Sequence, residues 1–175
     1  MTLVSANVTL PDPAGVKVVR VETTGQLRDA VVGAAVTADA VVMAAAPADF
    51  RPTTVRESKI KKSGDGAPTL ELEQSPDVLA GISHDRVRPG SVIVGFAAET
   101  GDDTGTVLDL ARDKLARKGC DLLVVNDVSG GAVFGSDDNQ AVILAADGAT
   151  VEVPHGTKSA LAHTVWDEVV RRFGA

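Results

Sequence analysis

Lys59, Lys61 and Lys62 place three cations within four positions of a chain whose formal net charge is −7. A cluster of that kind in an acidic protein wants an anion. Upstream of it lie Ala44, Ala45, Ala46, Pro47 and Ala48, whose small side chains let a ligand come close to the backbone, and then Asp49, a single acceptor. Lys114 and Lys118 are four apart in a stretch that reads as helix, which puts both on one face. Ser75, Pro76 and Asp77 read as a helix start: Ser75 as N-cap, Pro76 where its missing N–H costs nothing, and Asp77 complementing the dipole. Such a helix N-terminus offers backbone N–H groups to phosphate. The chemistry these residue types suit is charge neutralisation and alignment of a phosphorylated ligand.

Each feature also has a plainer explanation. Lysines on an edge strand discourage aggregation, Lys114 and Lys118 fit exposed charges near a helix C-terminus, Asp49 fits a turn cap, and Phe96 fits a core position. Taken alone, the residues give an α/β domain that binds a phosphorylated ligand.

The elements that must position these residues alternate between strand and helix. Leu3 to Ala6 and Val16 to Val21 read as strands separated by PDPAG, where Pro11 and Pro13 forbid helix. Thr23 or Thr24 caps a helix through Gln26, Leu27, Ala30, Val31 and Ala34. Ala40 to Ala45, Ser91 to Phe96 and Asp121 to Val125 are apolar runs suited to a sheet covered on both faces, and open α/β sheets bind ligands at the carboxyl ends of such strands. Thr69 to Glu73 alternates leucine with acid, as a half-exposed strand does, and pairs with the KIKK segment in a projecting two-stranded arm. Thr106 to Gly119 is a helix facing inward with Val107, Leu110, Ala111 and Leu115 and stopping at Gly119. Ala141 to Ala145 and Thr150 to Val153 form a β-hairpin. Lys158 to Phe173 is an amphipathic helix carrying Leu161, Val165, Trp166, Val169 and Val170. The expected fold is a mostly parallel α/β sheet with an antiparallel edge.

With 175 residues, 44% of them hydrophobic, the chain fits one domain with a real core. Its acidity argues against nucleic acid or an anionic membrane as partner. The opening MTLVSANVTL lacks a signal peptide's basic and apolar regions, and no apolar run has bilayer length, so the cytoplasm is the expected location. Cys120, the single cysteine, precludes an intrachain disulfide and reads as a buried residue at a strand entrance. His84, His155 and His163 show no zinc spacing, and Asp137, Asp138 and Asn139 read as a turn before the hairpin rather than a calcium loop.

Six segments in order, AAAPADFRP, KIKK, SPDVLAGI, VGFAAET, ARDKLARKGCDLLVVNDVS and FGSDDNQ, closely resemble the phosphopantothenoylcysteine synthetase domain of the bacterial bifunctional coenzyme A biosynthesis protein. The resemblance runs from about Thr2 to the last helix. It implies a ligase that joins 4′-phosphopantothenate to cysteine with CTP and Mg2+. The carboxylate is activated as an acyl-cytidylate with release of pyrophosphate, and the cysteine amine then displaces CMP. It also implies a Rossmann-like sheet with helices on both faces, a homodimer in which the arm after KIKK pairs between subunits, and no flavin on this domain. The resemblance leaves open whether a flavin-dependent decarboxylase domain is fused to it in the parent protein.

Residue by residue, the resemblance places Asp49 near the cytidine and makes Lys59 a nucleotide contact needed for activity. Pro76, Asp77, Val78 and Leu79 line the nucleotide site, Phe96 lies beside the nucleotide, and Lys114 and Lys118 reach it. Ala45 and Ala46 lie where pantothenate meets the backbone. The family's opening GGT-type strand and N-x-S-S-G-K-like loop have no counterpart here, and Pro47 replaces an expected Val or Ala. The expectation is a domain without its first βα unit. Two rival classes are a nicotinamide-dependent oxidoreductase, which the lack of G-x-G-x-x-G disfavours, and a non-catalytic binding or dimerisation module.

Overall fold

The apolar runs and capped amphipathic segments fold into nine strands and four helices in the computed structural model, which describes residues 1–56, 58–61, 69–99, 106–127 and 138–173. In chain order they are β1 (Thr2–Ala6), β2 (Lys17–Val21), α1 (Thr24–Ala35), β3 (Ala40–Met43), β4 (Phe50–Pro52), β5 (Leu72–Gln74), α2 (Val78–His84), β6 (Val92–Glu99), α3 (Val107–Lys118), β7 (Leu122–Asp127), β8 (Asp138–Ala145), β9 (Thr150–Thr157) and α4 (Lys158–Phe173). Lys62, the KSGDGAP tip, and most of the FGSDDNQ motif lie outside the described residues.

The central sheet has five strands in the order β3-β6-β7-β8-β9. β3, β6 and β7 are parallel, and the β8–β9 hairpin adds two antiparallel strands at one edge. This is the mixed α/β architecture that the alternating elements imply. The strands read as unbroken apolar runs because both faces are covered. On one face α1, α2 and α3 bury Leu27, Val31, Leu79, Ile82, Ala111 and Leu115 against Met43, Ile93, Leu123 and Val125. On the other, α4 buries Leu161, Val165 and Val169 against Val92, Val94, Leu122, Val124 and Ile143.

β1 and β2 do not join this ladder. They pair with each other in parallel, as a separate two-stranded sheet. Val4, Ala6 and Val19 nonetheless pack on the same core as α1 and β3. The single sheet expected from the pattern is therefore split between β1 and β3, which share a hydrophobic core but no hydrogen bonds.

Local chemistry sets the helix ends. Thr23 caps α1, and Gln26 completes a capping box. Thr106 and Asp109 do the same for α3, and Gly119 ends it in the left-handed conformation, φ 68°. A Cβ at Gly119 would also stand 2.8 Å from the His84 ring. Gly95 serves packing rather than turning: a Cβ there would lie 2.5 Å from Leu79 Cδ2, so any larger residue forces the Leu79 side chain to shift where α2 settles on β6.

Two expectations need correction and one is narrowed. β5 pairs with Phe50–Pro52, in the register Arg51 to Glu73, and not with the KIKK segment, whose described residues belong to no strand. The arm residues alternate with no buried face, so strand pairing is decided by the nearest chain that can complete the ladder. On α4, Trp166 and Val170 face outward, 44% and 62% exposed, because Leu161, Val165 and Val169 already fill the narrow stripe that meets the sheet. Asp138 and Asn139 open β8 instead of forming a turn, with a register irregularity between Asn139 and Ala141.

One cross-link ties α2, β6 and β7 together. Arg86 donates to both carboxylate oxygens of Asp121 at 2.9 and 3.0 Å, and to the carbonyls of Ser83, Ser91 and Gly119 at 3.1, 2.9 and 3.2 Å. Asp121 in turn accepts from the Ile93 amide at 2.7 Å. The planar guanidinium fork suits this bidentate geometry.

Candidate functional site

The carboxyl ends of β3 and β6 face the start of α2, where several of the residues singled out above converge. After β3, the chain runs through Ala44 to Asp49, and the Asp49 carbonyl accepts from the Ser75 amide at 2.8 Å. That bond ties the alanine-rich loop to the segment leading into α2. Ala45 and Ala46 are exposed there, as a backbone-lined ligand shelf requires. Asp49 is exposed as well.

The start of α2 differs from its expected form. Asp77, not Ser75, is the N-cap: its Oδ1 accepts from the Ala80 amide at 3.0 Å, and the helix begins at Val78. Ser75 and Pro76 belong to the preceding extended segment, and the buried Ser75 hydroxyl has no hydrogen-bond partner among the described residues. A carboxylate two residues closer to the helix outcompetes the serine for the cap because an ionised acceptor bonds the amide more strongly. The helix has seven residues and its first turn is already served by Asp77, so it is not the free phosphate-ready N-terminus that the sequence suggests.

The second oxygen of Asp77 is bonded to Lys118 Nζ, which brings α3 to the same corner. Lys118 is 19% exposed, a long side chain held over the sheet rather than waving in water. Partial burial pulls the Asp77 carboxyl upward. The Lys118 hydrogen bond, the Ala80 amide and the charges of Lys118 and Arg117 outweigh that burial and hold it below its ordinary value. Val78 and Leu79 place their side chains in the core, so only their backbone can meet a ligand. Lys114 lies half-buried one turn before Lys118 on the same helix.

Phe96 sits on the opposite face of the sheet from Asp77 and Lys118, half-buried against the α4 side of the core. Beyond it, Asn126 at the end of β7 is hydrogen-bonded by Asn139 of β8 at 3.2 Å. Lys59 is exposed in the segment of residues 58–61, and among the described residues nothing joins it to the Asp49–Asp77 corner. Cys120 is buried, and burial raises its thiol further, so it is no nucleophile. Among the described residues no three His, Cys, Asp or Glu side chains converge to cage a metal, and no helix is long and apolar enough to cross a membrane.

Sequence reasoning overlooked the Arg86–Asp121 cross-link and the Asn126–Asn139 pair. Both join residues distant in the chain, and neither has a local signature. The available hint for Asn126 was its place at the end of an apolar strand run, where open sheets meet their ligands.

Comparison with known proteins places this geometry in a family. The chain is 52% identical over 165 residues to the coenzyme A biosynthesis bifunctional protein CoaBC of Mycobacterium tuberculosis, covering 92% of this chain and 40% of that protein. It is 38% identical over 169 residues to the CoaBC of Bacillus subtilis, covering 95% and 40%. The chain thus spans about 40% of the length of these curated relatives. A crystal structure of the C-terminal domain of a CoaBC superposes with a TM-score of 0.75 at 28% identity, covering 96% of this chain and 71% of that one. A Cab2 variant in complex with phosphopantothenate-cysteine shares the fold, with a TM-score of 0.63 at 19% identity over 90% of this chain and 52% of that one. Residues 1–173 match the family model of the DNA/pantothenate metabolism flavoprotein C-terminal domain, and the chain belongs to that family.

Proposed function

We propose that this chain is the synthetase domain of a cytoplasmic coenzyme A biosynthesis protein, a ligase that joins 4′-phosphopantothenate to cysteine at the expense of CTP. The 4′-phosphopantothenate carboxylate attacks the α-phosphorus of CTP, and pyrophosphate leaves. The cysteine amine then attacks the acyl carbon, an amide forms, a proton is released and CMP departs. The observation that carries this proposal is that three separate segments of the resemblance are joined: the Asp49 carbonyl accepts from the Ser75 amide, and Asp77, two residues on, is bonded to Lys118 of α3. Relatives that are 52% and 38% identical bear the CoaBC name, which supports the pathway.

The residues divide the work by charge. Bringing an anionic carboxylate to an anionic triphosphate is opposed by repulsion, so cations aimed at the phosphates supply most of the catalysis. Lys118 and Lys114 stand on α3 for that task. Lys59 comes to the site on its exposed segment. Ala45 and Ala46 leave the backbone open to pantothenate, and Phe96 offers the nucleoside an aromatic face. Mg2+ bound with the triphosphate would neutralise further charge. A magnesium held by phosphates keeps several waters and needs no dedicated protein cage.

The β4–β5 arm exposes Phe50, Leu70 and Leu72 to 63%, 68% and 57%, which supports its role as the dimer contact. In the parent protein a flavin-dependent decarboxylase domain completes the bifunctional enzyme. Calorimetric titration with CTP, ATP and NADPH in the presence of Mg2+ tests the proposal. Preferential binding of CTP is expected; binding of NADPH instead, or of no nucleotide, overturns it.

A further inference from the structure

His84 closes α2 and has no part in the corner described above, yet its side chain reaches the end of α3. A helix leaves its last carbonyls without partners inside the helix. At the end of α3 two of them are met from the end of α2: His84 Nε2 stands 3.1 Å from the Arg117 carbonyl, and Arg86 donates to the Gly119 carbonyl at 3.2 Å. A carbonyl oxygen only accepts, so His84 Nε2 carries the hydrogen and donates it. The ring lies close on Gly119, where a Cβ would stand 2.8 Å from Cε1 and 3.1 Å from Nδ1. Glycine at the end of α3 therefore answers two demands, the left-handed turn and the seat of this ring.

Between the two carbonyls stands Lys118, whose Nζ is bonded to Asp77, the N-cap of the same α2. Three consecutive residues of α3 are thus gripped by one short helix and the chain just after it. Asp77 and His84 lie at opposite ends of that helix, about 10 Å apart along its axis. Two separated contacts fix the direction of a helix end, where one would let it pivot. Arg86 is also bonded to Asp121 and to the carbonyls of Ser83 and Ser91, so it serves the scaffold as a whole. The His84 side chain makes, among the described residues, no hydrogen bond but the one to α3.

We propose that His84 is a positioning residue: by holding the last turn of α3 against α2, it sets where Lys118 presents its ammonium, beside Asp77 and to the triphosphate. The proposal rests on the ligase function above and adds to it a residue that touches no substrate. A lysine carries its charge on a flexible four-carbon stem, so the ammonium is only as well placed as the backbone that bears it. Once that backbone is loosened, the cation must be ordered when the ligand binds, and the cost is taken from affinity.

Two measurements on the 175-residue chain test this. The first needs no nucleotide. It is an NMR titration of the Asp77 carboxyl, which despite partial burial is held below its ordinary value by the Lys118 bond, the Ala80 amide and the charges of Lys118 and Arg117. In His84→Ala and His84→Phe the Asp77 pKa is expected to rise toward the ordinary carboxylate value. In His84→Gln, which returns an N–H donor near the place of Nε2, it stays close to that of the wild type. All three variants lack the imidazolium charge present in acid, so that charge cannot separate them. In a Lys118→Met background, His84→Ala should leave the Asp77 titration where Lys118→Met alone puts it. A merely structural role would move it in both backgrounds.

The second measurement is calorimetric affinity for magnesium CTP. Loss of one hydrogen bond predicts a weakening of about three- to tenfold in His84→Ala and His84→Phe, largely restored in His84→Gln. An Asp77 titration unchanged in His84→Ala, or moved equally in His84→Gln, overturns the positioning role. Unchanged CTP affinity in His84→Ala, while wild type binds CTP, overturns this assignment alone. A wild type that binds no CTP overturns the ligase function, and the Asp77 titration still decides whether His84 holds Lys118 in place.

Discussion

The corner around Arg86 and the arm around Phe50 are opposites in how their hydrogen bonds and apolar groups are satisfied. At the first, one guanidinium closes five hydrogen bonds across α2, β6 and β7, with Arg86 and Asp121 side chains only 26% and 28% exposed. At the second, three residues pair with three, the bracing Arg51–Glu73 pair is half-exposed, and the large apolar side chains point into water. A surface pair like Arg51–Glu73 contributes little. The contrast teaches where this fold is braced by its own hydrogen bonds and where its apolar side chains meet water.

The sharpest way to break the comparison is to alter each region and ask whether function or stability responds. Lys59→Gln removes a cation from the exposed segment and touches no core contact. Cytidylyl transfer by a full-length enzyme carrying it should fall by roughly two to three orders of magnitude, while the melting temperature of the domain stays within about 1 °C. Turnover like that of the wild type would show that the exposed segment does not serve the active site.

Arg86→Ala asks the reverse question. It strips Asp121 of its partner and leaves three carbonyls without their donor, at a cost of about 3 kcal/mol. For a domain of this size that is a drop of roughly 6–12 °C in melting temperature. Calorimetric melting measures it. A drop under about 2 °C would mean that the cross-link is replaced by water and that the corner is no more rigid than the arm.

Much of this contrast was legible in the sequence for one region and hidden for the other. Val92 to Phe96 and Leu122 to Val125 had to be buried strands, because two covered faces leave no place for a polar residue. Thr106 with Asp109, and Gly119, marked the ends of α3 through local capping chemistry that needs no tertiary contact. The partner of the arm strand was not legible, because a short exposed strand carries no burial pattern to fix its pairing. Ser75 and Asp77 are both competent caps by residue type, and the ionised acceptor takes the Ala80 amide. The helical period marks a broad apolar stripe on α4, while the sheet accepts only the part carried by Leu161, Val165 and Val169 and leaves Trp166 and Val170 outside. Splitting of the sheet between β1 and β3 could not be read at all, since strand order is a tertiary fact.

The smallest expected effect sharpens the comparison at the point where scaffold and site meet. Asp77 plays two parts, cap and ion-pair partner, and asparagine can keep the first while losing the second, since both are good N-caps. Asp77→Asn should therefore destabilise the domain at pH 7 by less than about 1 kcal/mol, the ordinary worth of a partly exposed ion pair. The Asp77 carboxyl is held below its usual range, so its contribution is complete above the ordinary carboxylate pKa and fades as pH falls through the depressed one. Urea midpoints of the two proteins should differ at neutral pH and converge below the usual carboxylate range, where both side chains are uncharged. A gap that persists in acid would assign Asp77 to the cap alone and leave Lys118 free of it. A gap that closes makes the pair electrostatic, so that a phosphate arriving at this corner must share Lys118 with a carboxylate already bonded to it.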